Sequence, residues 1–496
     1  MSPLLLGVAL AVLALGPALG PGFVLRYDLL FVPNPPIFRD TGGFPRAVPS
    51  DAVVAVLSAV LPDEAVQKGL LIAIFVLAAT GAAALVPGER RAARLVAAAF
   101  YAWNMYLAQR LLLGQWALLL GVAGLPWAVR ALTGSGAGRV RAWGGFALAL
   151  LPAAVGGFQA MLVSALTLVP IAVTRRRVVM GVSTLVLLSL PWLVPALGVG
   201  AVTDPAGVDA FAARADGPFG TFGSLLSLGG VWNAEAGVPG QDAWWPATAR
   251  LLMVLAGIAG YVRLGRTDRP GWWTGLAVAA GTGFAIACLG AFEPGRDVLK
   301  WAIGVWPGFG PLRDGQVYLA PLVLLTALGL AGLVGTAAKT VAAVGVLAPV
   351  LVLPTFMLGA FGRLAAVEYP ADWPAVQRIV NADPEPGALL TLPWGAHRAF
   401  AWNGGRVVLD PATKLFGRRV IWDDTLRVSL PGGGVLSVRG EDPLNRRTGD
   451  LLTAPGHGGL PGVRYVLMAG GENQVPGEFR NWTSIYKGAD LQLLRR

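Results

Sequence analysis

The chain has 496 residues, of which 55% are hydrophobic and only 14% charged, and its formal net charge is +11. A water-soluble domain carries roughly 25% charged residues, so the shortfall excludes an ordinary soluble fold and makes lipid the main solvent. The cation surplus is accounted for by basic loops on one side of a membrane, so no nucleic-acid partner is expected; a lone Cys288 excludes an internal disulfide and a cysteine metal site.

Met1–Leu25 reads as a retained first span, because it lacks a basic start and its apolar stretch is long for a signal peptide. Further apolar runs follow at about 68–87, 92–109, 113–130, 142–155, 158–174, 178–199, 247–264, 272–292, 317–337 and 341–362, several near the ~20 residues that cross a bilayer. The stretch 142–174 is long for one span and short for two. Pro152 and Gly156-Gly157 interrupt it, which predicts a hairpin of two short spans, a single tilted helix being the alternative. The fold class expected is an all-α polytopic membrane bundle of about eleven transmembrane helices over 1–362, followed by a small α/β domain over 363–496.

Charge orients the bundle. One set of loops holds Arg90, Arg91, Arg94, Arg139, Arg141, Arg175, Arg176, Arg177, Arg263, Arg266, Arg269 and Lys339, with few acids. The opposite set holds most of the acids, so the N-terminus is expected in the cytoplasm of a plasma (inner) membrane. The loops 26–68, 200–246 and 293–316 and the C-terminal domain then lie outside. In that domain Trp373–Ala382 reads as a helix. Ala388–Leu392, Arg406–Leu409, Val420–Trp422, Val435–Val438 and Arg464–Met468 read as strands, and Ser484–Leu494 as a closing hairpin; turns such as Pro431-Gly432-Gly433-Gly434 divide them. The histidines, His397 and His457, both fall here, away from the apolar runs, so no intramembrane zinc site is expected.

Chemistry is sought at the outer face. Asp28 directly follows the first span in Arg26-Tyr27-Asp28, where a carboxylate can act as general base on a hydroxyl; a loop or capping acid is the alternative. Asp40 and Asp51 lie in the same loop, Asp51 in company that suits a helix N-cap. The segment Trp103–Trp116 sets Asn104, Gln109, Arg110 and Gln115 among apolar residues, and polar groups at such depth are often functional. Arg110, Lys300 and Arg313 are outward cations that run against the charge rule. Phosphate binding is one reason for them, and a snorkelling side chain or a salt bridge is the other. Tyr27, Asn104, Gln115, Trp116 and Asp314 are the residues expected to line a substrate site.

An acid after the first span, a long first outer loop, many spans and a trailing extracytoplasmic domain together resemble the GT-C superfamily of integral membrane glycosyltransferases. The segments Trp103–Trp116 and Pro311–Gln316 look like those of actinobacterial members near the arabinofuranosyl and mannosyl transferases, and Tyr369–Arg496 is similar to the tails of YfhO-type membrane proteins. The resemblance implies a polyprenyl-phosphate sugar donor, a glycan or glycolipid acceptor of the cell envelope, and Asp28 as base, with Asp40 or Asp51 as a second acid. Side-by-side paired acids are absent near Asp28, which leaves use of a divalent cation (Mg, Mn or Ca) open. Two other functions compete: a non-catalytic scaffold of envelope assembly, and a lipid or glycan transporter. A scaffold predicts Asp28 and Arg313 apart and unpaired, whereas an enzyme predicts both around one outer cavity.

Overall fold

The computed structural model describes residues 1–42, 48–134, 138–198, 203–334, 339–430, 433–453, 460, 462–470 and 479–496. His457, the turn residues Pro431-Gly432, and the expected segment ends at 199, 200–202 and 335–337 lie outside the described residues.

Most of the chain is helical. Five helices among the described residues are long and apolar enough to cross a membrane: Asp63–Leu85, Trp116–Thr133, Arg175–Gly198, Trp244–Thr267 and Gly315–Val334. Counting two bent pairs brings the number to seven, short of the eleven expected. Hydropathy reads through breaks that the backbone obeys. The run 92–109 is divided at Asn104, whose side chain donates to Phe100 O and Tyr101 O and accepts from Leu107 N–H, capping the ends of Arg91–Ala102 and Met105–Leu112 together. At 142–174 the structure has two helices, Arg139–Gly156 and Phe158–Leu168, parted by Gly157 at φ +75°. The second has 11 residues, too few to cross roughly 30 Å of hydrocarbon at 1.5 Å each. Helix Trp273–Leu289 turns by 98° into a further helix, Glu293–Val305, which occupies part of the expected loop 293–316.

Close packing in the bundle rests on small residues. Gly257 on Trp244–Thr267 faces Ala320–Val334 so closely that a Cβ on Gly329 would strike the backbone of Gly257, and one on Gly257 would strike Thr326. Such contact substitutes for the hydrophobic drive that lipid does not supply between helices.

The C-terminal region carries a five-stranded mixed sheet in the order Thr483–Lys487, Leu491–Arg495, Val463–Ala469, Ala388–Leu392, Val420–Ile421. The last three run parallel, with Leu390 opposite both Val466 and Ile421. Helix Asp372–Ala382 packs on the sheet through Trp373, Val376 and Val380, all fully buried. His397–Ala399 pairs with Val407–Leu409, and Leu426–Ser429 with Val435–Val438; the first strand of each pair was not legible in the sequence.

What positions the site is the weaving of the first loop into this region. Phe23–Val24 pairs antiparallel with Ala366–Val367. Tyr27 N–H donates to Val407 O at 2.7 Å, and Leu409 N–H to Tyr27 O at 3.0 Å. Tyr369 Oη donates to Phe31 O at 2.9 Å, Gln377 Nε2 to Pro33 O at 3.0 Å, and Arg419 Nη1 to Thr41 O at 2.6 Å. Residues 23–41 are therefore held from both sides, by the bundle and by the C-terminal region.

Candidate active site

Asp28 follows Tyr27, which sits at φ +45°, in the left-handed region that a non-glycine residue seldom adopts. Its own N–H donates to Leu113 O at 3.2 Å, and Gly114, at φ +79°, lies so near that a Cβ there would meet the backbone of Arg26, Asp28 and Leu29. The backbone is thus fixed on every side. The carboxylate is not: Asp28 is exposed and, among the described residues, makes no ion pair or side-chain hydrogen bond. A free carboxylate on an immobilised backbone suits a group that must meet an incoming hydroxyl at a set position.

Around it stand Tyr27, whose ring meets that of His397 edge-on at 6.0 Å, and Arg26, whose guanidinium lies 5.2 Å from the Tyr27 ring centre. Arg26 is buried. Its Nε donates to Leu112 O at 3.0 Å and its Nη2 to Glu235 O at 2.6 Å.

Two residues further along, Leu30 borders a hollow of about 580 Å³, counting its open mouth. Phe31, Ile37 and Trp116 give it apolar walls, and Arg39, Asp51 and Lys414 a charged patch. Asp51, near the start of helix Val48–Ser58, pairs with Arg39 and, at 2.9 Å, with Lys414 Nζ, which also donates to Leu30 O at 3.3 Å. Burial pushes the Asp51 carboxyl upward, but Lys414 and Arg39 outweigh it and hold the group below the usual carboxylate range. Asp51 is therefore an ionised partner of two cations, and the patch keeps one positive charge in excess.

The other expected residues have other occupations. Asp40 is exposed and accepts from Gly42 N–H at 2.8 Å in a local turn. Arg110, expected at a phosphate, is only 2% exposed: it forms a bidentate pair with Asp314 at 2.9 and 3.1 Å and donates to Gln115 Oε1 at 2.9 Å. Three of its donors are thus spent inside the protein, with both oxygens of Asp314. Asn104 is buried as the cap already described. Lys300 binds Asp209 at 2.9 Å, sharing it with Arg296 at 3.1 Å. Arg313 binds Glu441 at 2.8 Å and stacks over Phe211. The structure thus brings Asp51 and Trp116 to one hollow, gathers Arg110, Gln115 and Asp314 in one cluster, and pairs Lys300 with Asp209 and Arg313 with Glu441.

Arg39, His397 and Lys414 were missed. Arg39 was within reach of the reasoning used for Lys300, being a cation in an outer loop. His397 and Lys414 arrive by tertiary folding and leave no local signal. Among the described residues no three His, Cys, Asp or Glu side chains are grouped to hold a metal ion.

No family model matches the chain, and no curated protein does. Solved structures do. The mycobacterial arabinofuranosyltransferase AftD superposes with a TM-score of 0.54 at 14% identity, over 99% of this chain and 39% of that one. A mutant of the same protein gives 0.53 at 15% identity, over 99% and 41%. The oligosaccharyltransferase AglB of Archaeoglobus fulgidus gives 0.40 at 11% identity, over 94% and 65%, too remote to carry weight. The chain therefore shares the fold of that part of AftD and spans about two fifths of its length. At this identity the likeness is one of fold.

Proposed function

We propose that the protein is a membrane glycosyltransferase that moves a sugar from a polyprenyl-phosphate donor to a glycan or glycolipid acceptor on the extracytoplasmic face of the plasma membrane. One observation carries the reading: an exposed carboxylate with no partner among the described residues, Asp28, stands on a backbone held between bundle and C-terminal region, two residues before Leu30, which borders a hollow with aromatic walls and a charged patch. The AftD fold supports it, as that protein is an arabinofuranosyltransferase.

In the reaction, the acceptor oxygen attacks the anomeric carbon as the bond from that carbon to the phosphate oxygen breaks. The proton of the acceptor hydroxyl passes to Asp28, and the bonding pair leaves with the polyprenyl phosphate, so the anomeric centre inverts. No nucleotide enters. Trp116 and Phe31, with ring centres 5.1 Å apart, offer an apolar wall to a sugar face, while Asp51, Arg39 and Lys414 offer hydrogen-bonding groups to its hydroxyls.

Membranes holding the wild-type protein, given radiolabelled decaprenyl-phosphate arabinose in one arm and polyprenyl-phosphate mannose in the other, should transfer label from one of them. Asp28→Asn should insert at the same level and transfer at least about a hundredfold more slowly, as loss of a general base requires. Full transfer by that variant would remove the assignment.

A further inference from the structure

We propose that helix Glu293–Val305 lies along the membrane surface, on the side of the C-terminal region, and sinks one of its faces among the lipid acyl chains.

The helix divides into three faces at helical spacing. Gly295, Leu299 and Ile303 are buried, and the last two pack with Val208 against the rest of the protein. Glu293, Arg296, Asp297 and Lys300 form a charged face. Pro294, Val298, Trp301 and Val305 form a third face that is apolar and exposed, Trp301 to 70%. At roughly 100° per residue the three faces are centred about 120° apart. A helix resting beside a protein at the boundary of lipid and water meets three environments in this arrangement: protein at its flank, water above and acyl chains below. A helix surrounded by water has no use for the third face, and one inside the bilayer none for the second.

The path of the chain agrees. Trp273–Leu289 has 17 residues, a rise of about 25 Å, which uses up most of the roughly 30 Å of hydrocarbon. The chain then turns by 98°, so Glu293–Val305 runs across the axis of the span before it and along the membrane surface. A helix that dipped into the bilayer and returned would instead carry Arg296, Asp297 and Lys300 into hydrocarbon.

Neighbouring aromatic residues mark the same level. Phe222 meets Phe292 at 6.2 Å, and Gly217 lies against Ala247, so the bend and the start of Trp244–Thr267 sit together. Trp244 and Trp245 at that start, and Trp301 and Trp306 beyond the bend, are all exposed. Tryptophan gathers at the boundary of membrane and water.

The other two faces are already occupied. Arg296 Nε and Lys300 Nζ hold Asp209 at 3.1 and 2.9 Å, next to the Val208 that covers Leu299 and Ile303. The helix is therefore fixed by its charged and buried faces, and the apolar face is the one left open. Its occupant is lipid rather than a glycan, because Val298 and Val305 flank Trp301 and offer no hydrogen bond to a hydroxyl.

Labels placed on two faces test this. The full chain with Cys288→Ala receives one cysteine at a time: Val298→Cys, Trp301→Cys or Val305→Cys on the apolar face, Glu293→Cys or Asp297→Cys on the charged one. Each carries an environment-sensitive fluorophore, in phosphatidylcholine nanodiscs that hold lipid with a nitroxide either high on the acyl chain or near its end. The high nitroxide should quench 298, 301 and 305 at least about threefold more than 293 and 297, as insertion by about 5–10 Å requires. Iodide in the water should quench in the reverse order. These side chains are exposed, so the variants should keep the melting temperature of the parent. The unsubstituted chain gives an independent reading: lipid bearing a diazirine high on the acyl chain should crosslink to Val298, Trp301 or Val305. Equal iodide quenching at all positions, without crosslinks, would put the apolar face in water or against another protein and overturn the proposal. Strongest quenching of Trp301→Cys by the deep nitroxide would make the segment re-entrant and overturn it as well.

Discussion

Arg110 and Asp314 hold each other through two hydrogen bonds, 2.9 and 3.1 Å, inside the bundle, and neither is more than 4% exposed. A buried ion pair adds little over a well-packed apolar pair, but breaking it strands a charge, at a cost of about 3–5 kcal/mol. Asp314→Ala should therefore lower the melting temperature sharply. The double variant Arg110→Met/Asp314→Leu should recover most of the loss and still bind decaprenyl phosphate. Melting followed by tryptophan fluorescence in detergent checks the first expectation and nanodisc titration the second. A stable double variant that no longer binds the lipid would return Arg110 to the phosphate site.

Gly114 and Asp28 are coupled through space alone. Gly114→Ala would place a Cβ against the backbone of Arg26, Asp28 and Leu29 and force a non-glycine residue to φ +79°. The conformational part alone costs about 1–2 kcal/mol, and the clash adds to it. Relief requires residues 26–29 to move, so transfer should fall by more than the loss of folded protein explains. Turnover normalised to the folded fraction measures this. A fall that matches the folded fraction would mean that the position of Asp28 does not depend on this contact.

How far the sequence reached follows from such pairs. Asp28, Tyr27 and the helix and strands at Trp373–Ala382, Ala388–Leu392 and Val435–Val438 announce themselves through hydropathy, turns and position beside a span. The GT-C fold was legible because the order of its parts is linear along the chain. Partnerships were not. Nothing near Arg110 in the sequence says that Asp314 neutralises it, so a buried structural cation and a free ligand-binding one look alike. Lys414 escaped for the converse reason: it stands in an ordinary polar stretch, and only the fold carries it to Asp51. Hydropathy also reads through Asn104, where one side chain caps two helices inside an apolar run.

Asp51 gives the protein an acid limb. Its carboxyl is held below the ordinary range, so the folded chain binds this proton more weakly than the unfolded one. The resulting stability is complete above the ordinary Asp value of about 3.9 and is lost as pH falls through the lower folded value. Lys414→Met, which removes one cation from it, should cost about 1.5–3 kcal/mol at neutral pH. Asp51→Asn should flatten the fall of melting temperature between about pH 5 and pH 3, because no proton is then taken up at this site. An acid limb as steep as that of the wild type would place the responsible carboxylate elsewhere.

Arg313 and Glu441 tie the segment before Gly315–Val334 to the C-terminal region at 2.8 Å, with Phe211 beneath the guanidinium at 5.1 Å. Both side chains are partly exposed, at 18% and 32%, so the pair is worth roughly 1 kcal/mol or less. Arg313→Gln should then lower stability slightly and leave decaprenyl phosphate binding within about fivefold, the factor to which ~1 kcal/mol corresponds. Arg313→Glu should cost more, because two carboxylates then meet, and the exchange Arg313→Glu/Glu441→Arg should recover the difference. Melting temperatures of the wild type, of Arg313→Glu, of Glu441→Arg and of the exchange close this cycle. A tenfold loss of lipid binding in Arg313→Gln at unchanged stability would show that Arg313 serves the phosphate, and would place the donor at the segment Pro307–Arg313.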